Sequence, residues 1–276
     1  MTGDISALLE TWREGRGLPG VLVIDGHIHL GEWPSHETFA TVEEVPDRAV
    51  RAMDANGVDA ICVVAGGHMQ SGSDPRIGND RLLRWWKALP DRIIPFFLVN
   101  PNESRERVLA ECQRMLDHGM RAIKLINAYQ EHYPGDGPNL MAVYEFAARN
   151  SMILFNHHWS YAELDALAPK FPDTPFIGAH GAPPALLLKH PNVYANMWAY
   201  GSMGWLDRVI AEAGPLKIML GSDAFMNPMT VGIGPILHAP VTDGEKRLML
   251  GLTVARLLDR AGILPQALKR KLEASA

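Results

Sequence analysis

The sequence predicts an α/β barrel in which eight parallel strands alternate with helices. Eight short apolar runs rich in Val, Ile and Leu recur along the chain, and such runs are typical of strands buried on both faces of a parallel sheet. A helical pattern follows each run at the spacing of a βα unit. We therefore expect the 276 residues to form a single-domain, distorted (β/α)8 TIM barrel.

The positions of these patterns give the order of the elements. The predicted strands are the run at 21–29 and the segments 60–65, 93–99, 122–126, 153–156, 176–179, 193–196 and 217–220. The predicted helices of the barrel are 45–56, 79–89, 103–118, 139–150, 161–171, 184–189, 204–213 and 244–260. Asn79 is predicted to be the N-cap of the second of these helices. A lead-in helix within 1–20 precedes the barrel at 21–260, and a C-terminal helix within 261–276 follows it.

An open, doubly wound sheet is the alternative architecture. Dinucleotide-binding members of that class carry Gly-x-Gly-x-x-Gly after the first strand, whereas two histidines occupy this position here. The segment 224–241 is rich in Met, Gly and Pro, which predicts a long loop that can act as a lid.

Composition and charge exclude several classes of partner. The net charge is −5 and no stripe of Lys or Arg is present, so we expect neither nucleic acid nor an anionic membrane as a partner. No apolar run approaches the roughly 18 to 20 residues of a membrane span, and the acidic N-terminus lacks the apolar region of a signal peptide. Cys62 and Cys112 lie in apolar segments and predict buried, reduced thiols. These features favour a cytoplasmic protein that acts on a small molecule, with a homodimer as the default assembly.

The first predicted strand ends in two histidines separated by one residue. Because side chains on a strand alternate between its faces, His27 and His29 are predicted to point the same way, together with Asp25. Neutral imidazoles are preferred ligands of zinc and similar divalent metals. Spacing alone leaves two interpretations open, a metal-binding pair or two hydrogen-bonded and inert histidines.

Polar side chains recur at the ends of the later strands. They are Lys124 on the fourth strand, His157 and His158 after the fifth, His180 after the sixth and Asp223 after the eighth. In a barrel the C-terminal ends of the strands meet at one face, and active sites of this fold lie there. The recurrence favours a metal site over a set of unrelated core histidines and capping carboxylates.

These motifs together resemble the amidohydrolase superfamily, in particular the amidohydrolase-related group called amidohydrolase 2. The resemblance rests on Ile-Asp-Gly-His27-Ile-His29, on His157, on Phe176-Ile-Gly-Ala-His180-Gly181 and on Gly221-Ser222-Asp223, and it extends from about residue 21 to residue 258. It implies a (β/α)8 barrel whose activity depends on one or two divalent metal ions.

The resemblance also implies a set of metal ligands. By position, His27, His29, His157 and Asp223 match the ligands of a single metal ion. Zinc is the expected ion, with manganese or iron as alternatives. Only one of the adjacent pair His157 and His158 can face the pocket, and the spacing favours His157, with His158 as the alternative.

Two further positions match residues with roles in the family. His180 matches a residue that polarises substrate or water in mononuclear members, or that binds a second metal in binuclear ones. Lys124 lies on the strand where binuclear relatives carry a carboxylated lysine that bridges two metals, and it is equally compatible with a cation that holds a substrate carboxylate. The group most resembled is mainly mononuclear, which favours one metal. The Asn-Ala pair that usually precedes Arg-Leu in the last helix is absent before Arg256-Leu257.

The implied activity is hydrolysis of an amide, lactone or ester of a small molecule by a metal-activated water. Asp223 would move the proton of this water and His180 would stabilise the oxyanion. A lyase is the alternative, because relatives similar to aminocarboxymuconate semialdehyde decarboxylase catalyse non-oxidative decarboxylation, and others hydrate a double bond. Its substrate would be a small unsaturated or aromatic carboxylate. A third interpretation is a non-catalytic barrel with a degenerate site.

Four residues on the same face are candidates for substrate binding. They are Trp33, Lys124, Tyr129 and Trp198. Aromatic walls of this kind suit a flat or apolar substrate, and the same residues also suit the packing of loops against one another.

Overall fold

The computed structural model describes residues 7–31, 44–66, 69, 72–197, 204–224 and 226–274. All of its paired strands are parallel. They are β1 (Ile24–Leu30), β2 (Ala60–Ala65), β3 (Ile93–Pro95), β4 (Phe97–Leu98), β5 (Ala122–Leu125), β6 (Ile153–Asn156), β7 (Phe176–Gly178), β8 (Val193–Asn196) and β9 (Ile218–Met219). β3 and β4 flank Phe96, whose N–H donates to the Val63 carbonyl at 2.9 Å, so both belong to one barrel strand.

The barrel closes at a seam between β1 and the end of β9. The ladders run in the orders β1-β2-β3 and β4-β5-β6-β7-β8-β9. At the seam the Gly26 N–H donates to the Leu220 carbonyl at 3.0 Å, and Ile28 forms a parallel bridge with Ala224. Parallel strands that alternate with helices and close on themselves form a (β/α)8 barrel, so the predicted fold class is confirmed. The interruption at Phe96 is its distortion.

The helices follow the strands in the predicted order. They are α1 (Ala7–Arg13), α2 (Val45–Asn56), α3 (Pro75–Ala88), α4 (Arg105–Asp117), α5 (Pro138–Arg149), α6 (Tyr161–Leu167), α7 (Pro184–Lys189), α8 (Trp205–Ala213), α9 (Thr230–His238), α10 (Asp243–Arg247), α11 (Thr253–Arg260) and α12 (Gln266–Glu273). Among the residues that the structure describes, none of these helices has both the length and the apolar character needed to cross a bilayer.

Helix α3 begins at Pro75 rather than at Asn79, so the predicted N-cap was wrong. The Asp74 side chain accepts a hydrogen bond from the Arg76 N–H at 3.0 Å, and Pro75 occupies the first turn, where no N–H is needed. Asn79 lies inside the helix and is fully buried. Its side chain binds the backbone of Leu98 on β4 instead of capping a helix.

The segment 224–241 also differs from the prediction, because it contains α9. Ile233 and Ile236 of this helix are buried in the hydrophobic core. The prediction of a long loop was therefore wrong over Thr230–His238. Two glycines and Pro235 interrupt the helical pattern in sequence. Burial of the apolar face outweighs their low helix propensity.

A π-helical turn, Leu248–Leu252, joins α10 to α11. Gly251 lies so close to the segment that leads into β1 that a Cβ atom there would overlap the Leu22 carbonyl. The Met249 carbonyl accepts the Leu220 N–H at 2.7 Å. The last helical segment therefore packs directly on the seam of the barrel.

Alternate residues of the strands belong to two apolar layers. The outer layer joins strand residues such as Val63 to helix residues such as Met53 and Leu82. The inner layer fills the barrel and includes Phe96 and Phe155, whose ring centroids are 5.7 Å apart.

Candidate metal centre

A bulge in β1 turns its two histidines towards the barrel interior. The register of β1 against β2 shifts between Asp25 and Ile28. Ile24 lies in the inner layer and Ile28 in the outer layer, although residues four apart on a regular strand share a face. Without the shift, the inward position of Ile24 would place His27 and His29 on the outer face.

The same bulge separates Asp25 from the histidines. The sequence predicted that Asp25 points to the same place as His27 and His29, and this prediction was wrong. The carboxylate of Asp25 is buried, and its Oδ1 accepts hydrogen bonds from the backbone N–H of His27 and of Ser222, each at 3.1 Å. The alternation rule assumes a regular strand, whereas Gly26 lies inside the irregular segment, and a glycine within a strand often marks a bulge.

Three side chains converge at the seam between β1 and β9. The Nε2 atoms of His27 and His29 are 3.0 Å apart, and they lie 3.3 and 3.1 Å from Oδ1 of Asp223. Asp223 is placed by its backbone, which has a φ of 57° and whose N–H donates to the His27 carbonyl at 2.9 Å. Two imidazole nitrogens and one carboxylate oxygen within 4.8 Å of one another form a set that can hold a metal ion.

The carboxylate oxygen that faces the histidines supports a cation at this place. Asp223 Oδ1 is buried, and although His29 Nε2 lies 3.1 Å from it, it makes no hydrogen bond of good geometry within the described part of the chain. A buried polar atom without a partner is costly, and a carboxylate oxygen beside two imidazoles gains a partner when a cation binds. The residues present therefore fit a divalent ion.

His157 and His180 lie beside this cluster. His180 Nε2 is 2.9 Å from His157 Nδ1, and the His27 and His180 rings are 5.7 Å apart between centroids. In this structure the two residues bind each other, and the group of three does not include them. His158, the alternative to His157, is exposed.

Lys124 is fully buried beneath the histidines. Its Nζ lies 3.3 Å from His27 Nε2 and 4.0 Å from the centroid of the Phe155 ring. Burial lowers the pKa of Lys124 to about 7, against the opposing attraction of Asp223. The Lys124 amine thus lies close to His27, and it loses its positive charge near neutral pH.

The electrostatics of the site keep its imidazoles neutral. Burial lowers the pKa of His27 well below that of a free imidazole and, with the charge of Lys124, lowers the pKa of His157 to about 3 and that of His180 to about 4. Burial by itself would raise the pKa of Asp223, but the interactions with His29 and Lys124 outweigh it, and the net shift is downward. Neutral imidazoles and an ionised carboxylate are the forms that bind metal.

A pocket of about 240 Å³ opens onto the site. Its polar lining comes from His29, His157, His180 and Asp223, and its apolar lining from Ile126, Tyr129 and Met226. The Tyr129 ring lies 4.5 Å from the His157 ring between centroids, and 45% of the residue is exposed. Trp33 and Trp198, also predicted to bind substrate, lie outside the described residues.

Two residues of the pocket, Ile126 and Met226, were not among the predicted site residues. Ile126 directly follows β5, which carries Lys124, so its position after a strand end was the available signal. Met226 lies in the segment 224–241, and the prediction that this segment can act as a lid was the available signal.

The fold matches that of solved TIM-barrel proteins. An uncharacterised TIM-barrel protein from Bordetella bronchiseptica superposes with a TM-score of 0.69 at 18% identity, over 88% of this chain and 100% of that chain. A 4-oxalomesaconate hydratase from Rhodopseudomonas palustris gives 0.68 at 16% identity, over 92% and 100%. A dihydroxybenzoic acid decarboxylase from Polaromonas sp. JS666, solved with manganese and the inhibitor 2-nitroresorcinol, gives 0.68 at 15% identity, over 88% and 99%. At these identities the likeness shows the fold.

Sequence comparison adds the family. No curated protein matched the chain. A family model described as amidohydrolase matches residues 24–260, a range that includes every strand of the barrel and all the side chains of the site. The chain therefore belongs to the amidohydrolase family of metal-dependent enzymes.

Proposed function

We propose that this protein binds one divalent metal ion and uses an activated water to hydrolyse an amide, lactone or ester of a small molecule. The observation that carries the proposal is the convergence of His27 Nε2, His29 Nε2 and Asp223 Oδ1, with the carboxylate oxygen left without a hydrogen bond. His157 is the proposed fourth ligand. Zinc is the proposed ion, and the manganese in one structural neighbour makes manganese the first alternative.

A bound divalent ion supplies a Lewis acid that lowers the pKa of water to about 7. The remaining chemistry belongs to side chains of this chain. Asp223 stays ionised at neutral pH, and its Oδ1 has no hydrogen bond to give up, so it can accept the proton of the attacking water. The same carboxyl can then return that proton to the leaving group.

His180 has a different role from Asp223. With its pKa lowered to about 4, first by burial and then by the charge of Lys124, the ring is neutral at pH 7. A neutral imidazole can donate a hydrogen bond from its ring N–H to a developing oxyanion without carrying a charge of its own. We propose that His180 polarises the substrate oxygen from the pocket wall.

The apolar wall sets the shape of the substrate that fits. Ile126, Tyr129 and Met226 line the same pocket as the four polar residues, and the Tyr129 ring lies next to the His157 ring. This arrangement suits a small molecule with one flat or apolar side and one polar, reacting side. The proposed role of Lys124 is to hold a carboxylate of the substrate, and a carboxylated Lys124 with a second metal is the alternative.

A lyase activity is the second candidate. The structural neighbours include a dihydroxybenzoic acid decarboxylase and a 4-oxalomesaconate hydratase. In that chemistry Asp223 or His180 would deliver a proton to carbon, and the substrate would be a small unsaturated or aromatic carboxylate. Membership of an enzyme family disfavours the third interpretation, a non-catalytic barrel.

A paired substrate screen separates the two candidates. The metal-loaded protein is incubated with amides, lactones and esters in one panel and with aromatic and unsaturated carboxylates in another. Released acid, released CO2 and loss of the double bond are measured. The proposal expects acid release in the first panel that the Asp223→Asn variant lacks. CO2 release or hydration in the second panel, with no hydrolysis in the first, would replace hydrolysis by the lyase.

A further inference from the structure

The orientation of the two β1 histidines depends on one irregularity of the backbone. Ile24 faces the inner layer and Ile28 the outer layer, so the strand takes an extra residue between them. A shift of one residue moves every following side chain to the opposite face. His27 and His29 converge with Asp223 only while this bulge is kept.

The buried carboxylate of Asp25 lies at the start of the bulge. Its Oδ1 accepts the N–H of His27 within β1 and the N–H of Ser222 after β9, both at 3.1 Å. Oδ1 of Asp25 thus connects the backbone of His27 to the backbone of Ser222. His27 is a proposed ligand, and Ser222 directly precedes the proposed ligand Asp223.

The two hydrogen bonds hold together β1 and the segment after β9, which are distant in sequence. Asp25 and Ser222 are separated by 197 positions. The Asp223 N–H and the His27 carbonyl, 2.9 Å apart, form the next rung of the same seam. Loss of this acceptor would leave two buried N–H groups unpaired, which is costly.

We propose that Asp25 is a positioning residue that fixes the β1 bulge against the Ser222 backbone and thereby sets the mutual placement of His27, His29 and Asp223. The inference rests on the metal site of the proposed function. It assigns Asp25 no contact with substrate or metal. Its effect on a bound ion acts through the backbone of the ligands.

Metal affinity and the visible spectrum of bound Co²⁺ test the proposal in three variants. Asp25→Ala removes the acceptor and is expected to weaken Co²⁺ binding about 10- to 100-fold and to change the d–d absorption, as loss of a group that orients ligands does. Asp25→Asn keeps an oxygen acceptor, so its affinity and spectrum should stay close to those of the wild type. Asp59→Ala is the matched control. Asp59 also accepts a backbone N–H, that of Val23 at 3.0 Å, but Val23 directly precedes the start of β1, at the end of the strand away from His29. This control should keep the wild-type affinity and spectrum even where it lowers the melting temperature.

Wild-type binding by Asp25→Ala would overturn the proposal. So would an equal loss in Asp25→Asn, because the charge and not the acceptor would then matter. If Asp25→Ala does not fold, amide hydrogen exchange of the metal-free wild type decides. The N–H groups of His27 and Ser222 are expected to exchange as slowly as those within β2, and exchange at the rate of exposed loops would contradict the proposal.

These measurements also separate this inference from the proposed function. A wild-type protein that binds no Co²⁺, Zn²⁺ or Mn²⁺ refutes the metal site. Amide exchange then still shows whether the His27 and Ser222 N–H groups are held at the seam.

Discussion

Two buried polar clusters of this barrel differ in how their hydrogen bonds are satisfied. The first, the bracing cluster, consists of Asn79, Glu111 and Arg114 between α3, α4 and β4. The Asn79 side chain binds both the N–H and the carbonyl of Leu98, at 2.8 and 3.0 Å, and its Nδ2 also donates to Glu111 at 2.6 Å. Arg114 donates two hydrogen bonds to the Glu111 carboxylate and a third to Asp80.

The second, the ligand cluster, consists of His27, His29 and Asp223. The Nε2 atoms of the two histidines and Oδ1 of Asp223 face one another at 3.0 to 3.3 Å, and Asp223 Oδ1 has no hydrogen bond of good geometry among the residues described. The bracing cluster is complete without a ligand, whereas the ligand cluster becomes satisfied only when something binds. Burial of polar groups alone therefore does not identify a site, but unsatisfied donors and acceptors that converge on one point do.

The largest expected effect is that of Asp223→Asn on turnover. Loss of the carboxylate removes a proposed ligand and proton acceptor, and we expect turnover to fall by about 10³-fold or more. The backbone should tolerate the change, because Asn is among the residues that best accept the φ of 57° found at this position. The free energy of unfolding of the metal-free protein should stay within about 1 kcal/mol of the wild type. Turnover assays and denaturant unfolding check both statements, and retention of most activity would refute the role of Asp223.

Asn79→Ala should have the opposite profile. The change removes the Asn79 amide from three buried groups, which are the N–H and the carbonyl of Leu98 and one oxygen of Glu111. We therefore expect the free energy of unfolding to fall by about 3 kcal/mol. Metal affinity should not change, since the bracing cluster does not touch the ligand cluster. Denaturant unfolding and metal titration measure the two quantities. A parallel loss of metal affinity would contradict the separation of the clusters.

Lys124 gives a pH-dependent test on the metal-free protein. Its pKa is lowered by burial from 10.5 to about 7, so between these values the unfolded chain binds more protons than the folded chain. Stability due to this group therefore rises with pH, by about 2 kcal/mol from pH 7 to pH 9. In Lys124→Met this rise should be absent. A variant with the same pH profile as the wild type would show that Lys124 is not a buried titrating amine.

The smallest effect is expected for His158→Ala. This side chain is exposed, whereas His157 lines the pocket. Stability should change by less than about 0.5 kcal/mol, and metal affinity should be unaltered. Weaker metal binding in His158→Ala than in His157→Ala would reverse the preference for His157.

The sequence predicted the architecture well because the strands are apolar runs with clear ends. Most strand and helix positions follow from such patterns, and the strand-end residues Lys124, His157, His180 and Asp223 could be found because parallel barrel strands bring their ends to one face. The approach of His27 and His29 was also predicted.

The features that could not be predicted depend on contacts between distant segments. The β1 bulge is fixed by Asp25 and the backbone of Ser222, which are far apart in the chain. Asn79 has the composition of an N-cap, but its partners lie on β4 and α4. Helix α9 forms because its apolar face is buried, although its glycines and Pro235 disfavour it. In each case tertiary contacts outweigh a local preference.

The central claim is that His27, His29 and Asp223 hold a divalent ion together. The most direct measurement is the metal content of the purified protein after stripping with a chelator, reconstitution with zinc or manganese and gel filtration. The account predicts one equivalent per chain for the wild type and close to none for His29→Ala. A wild type that retains no metal, or a His29→Ala variant that retains a full equivalent, would contradict it.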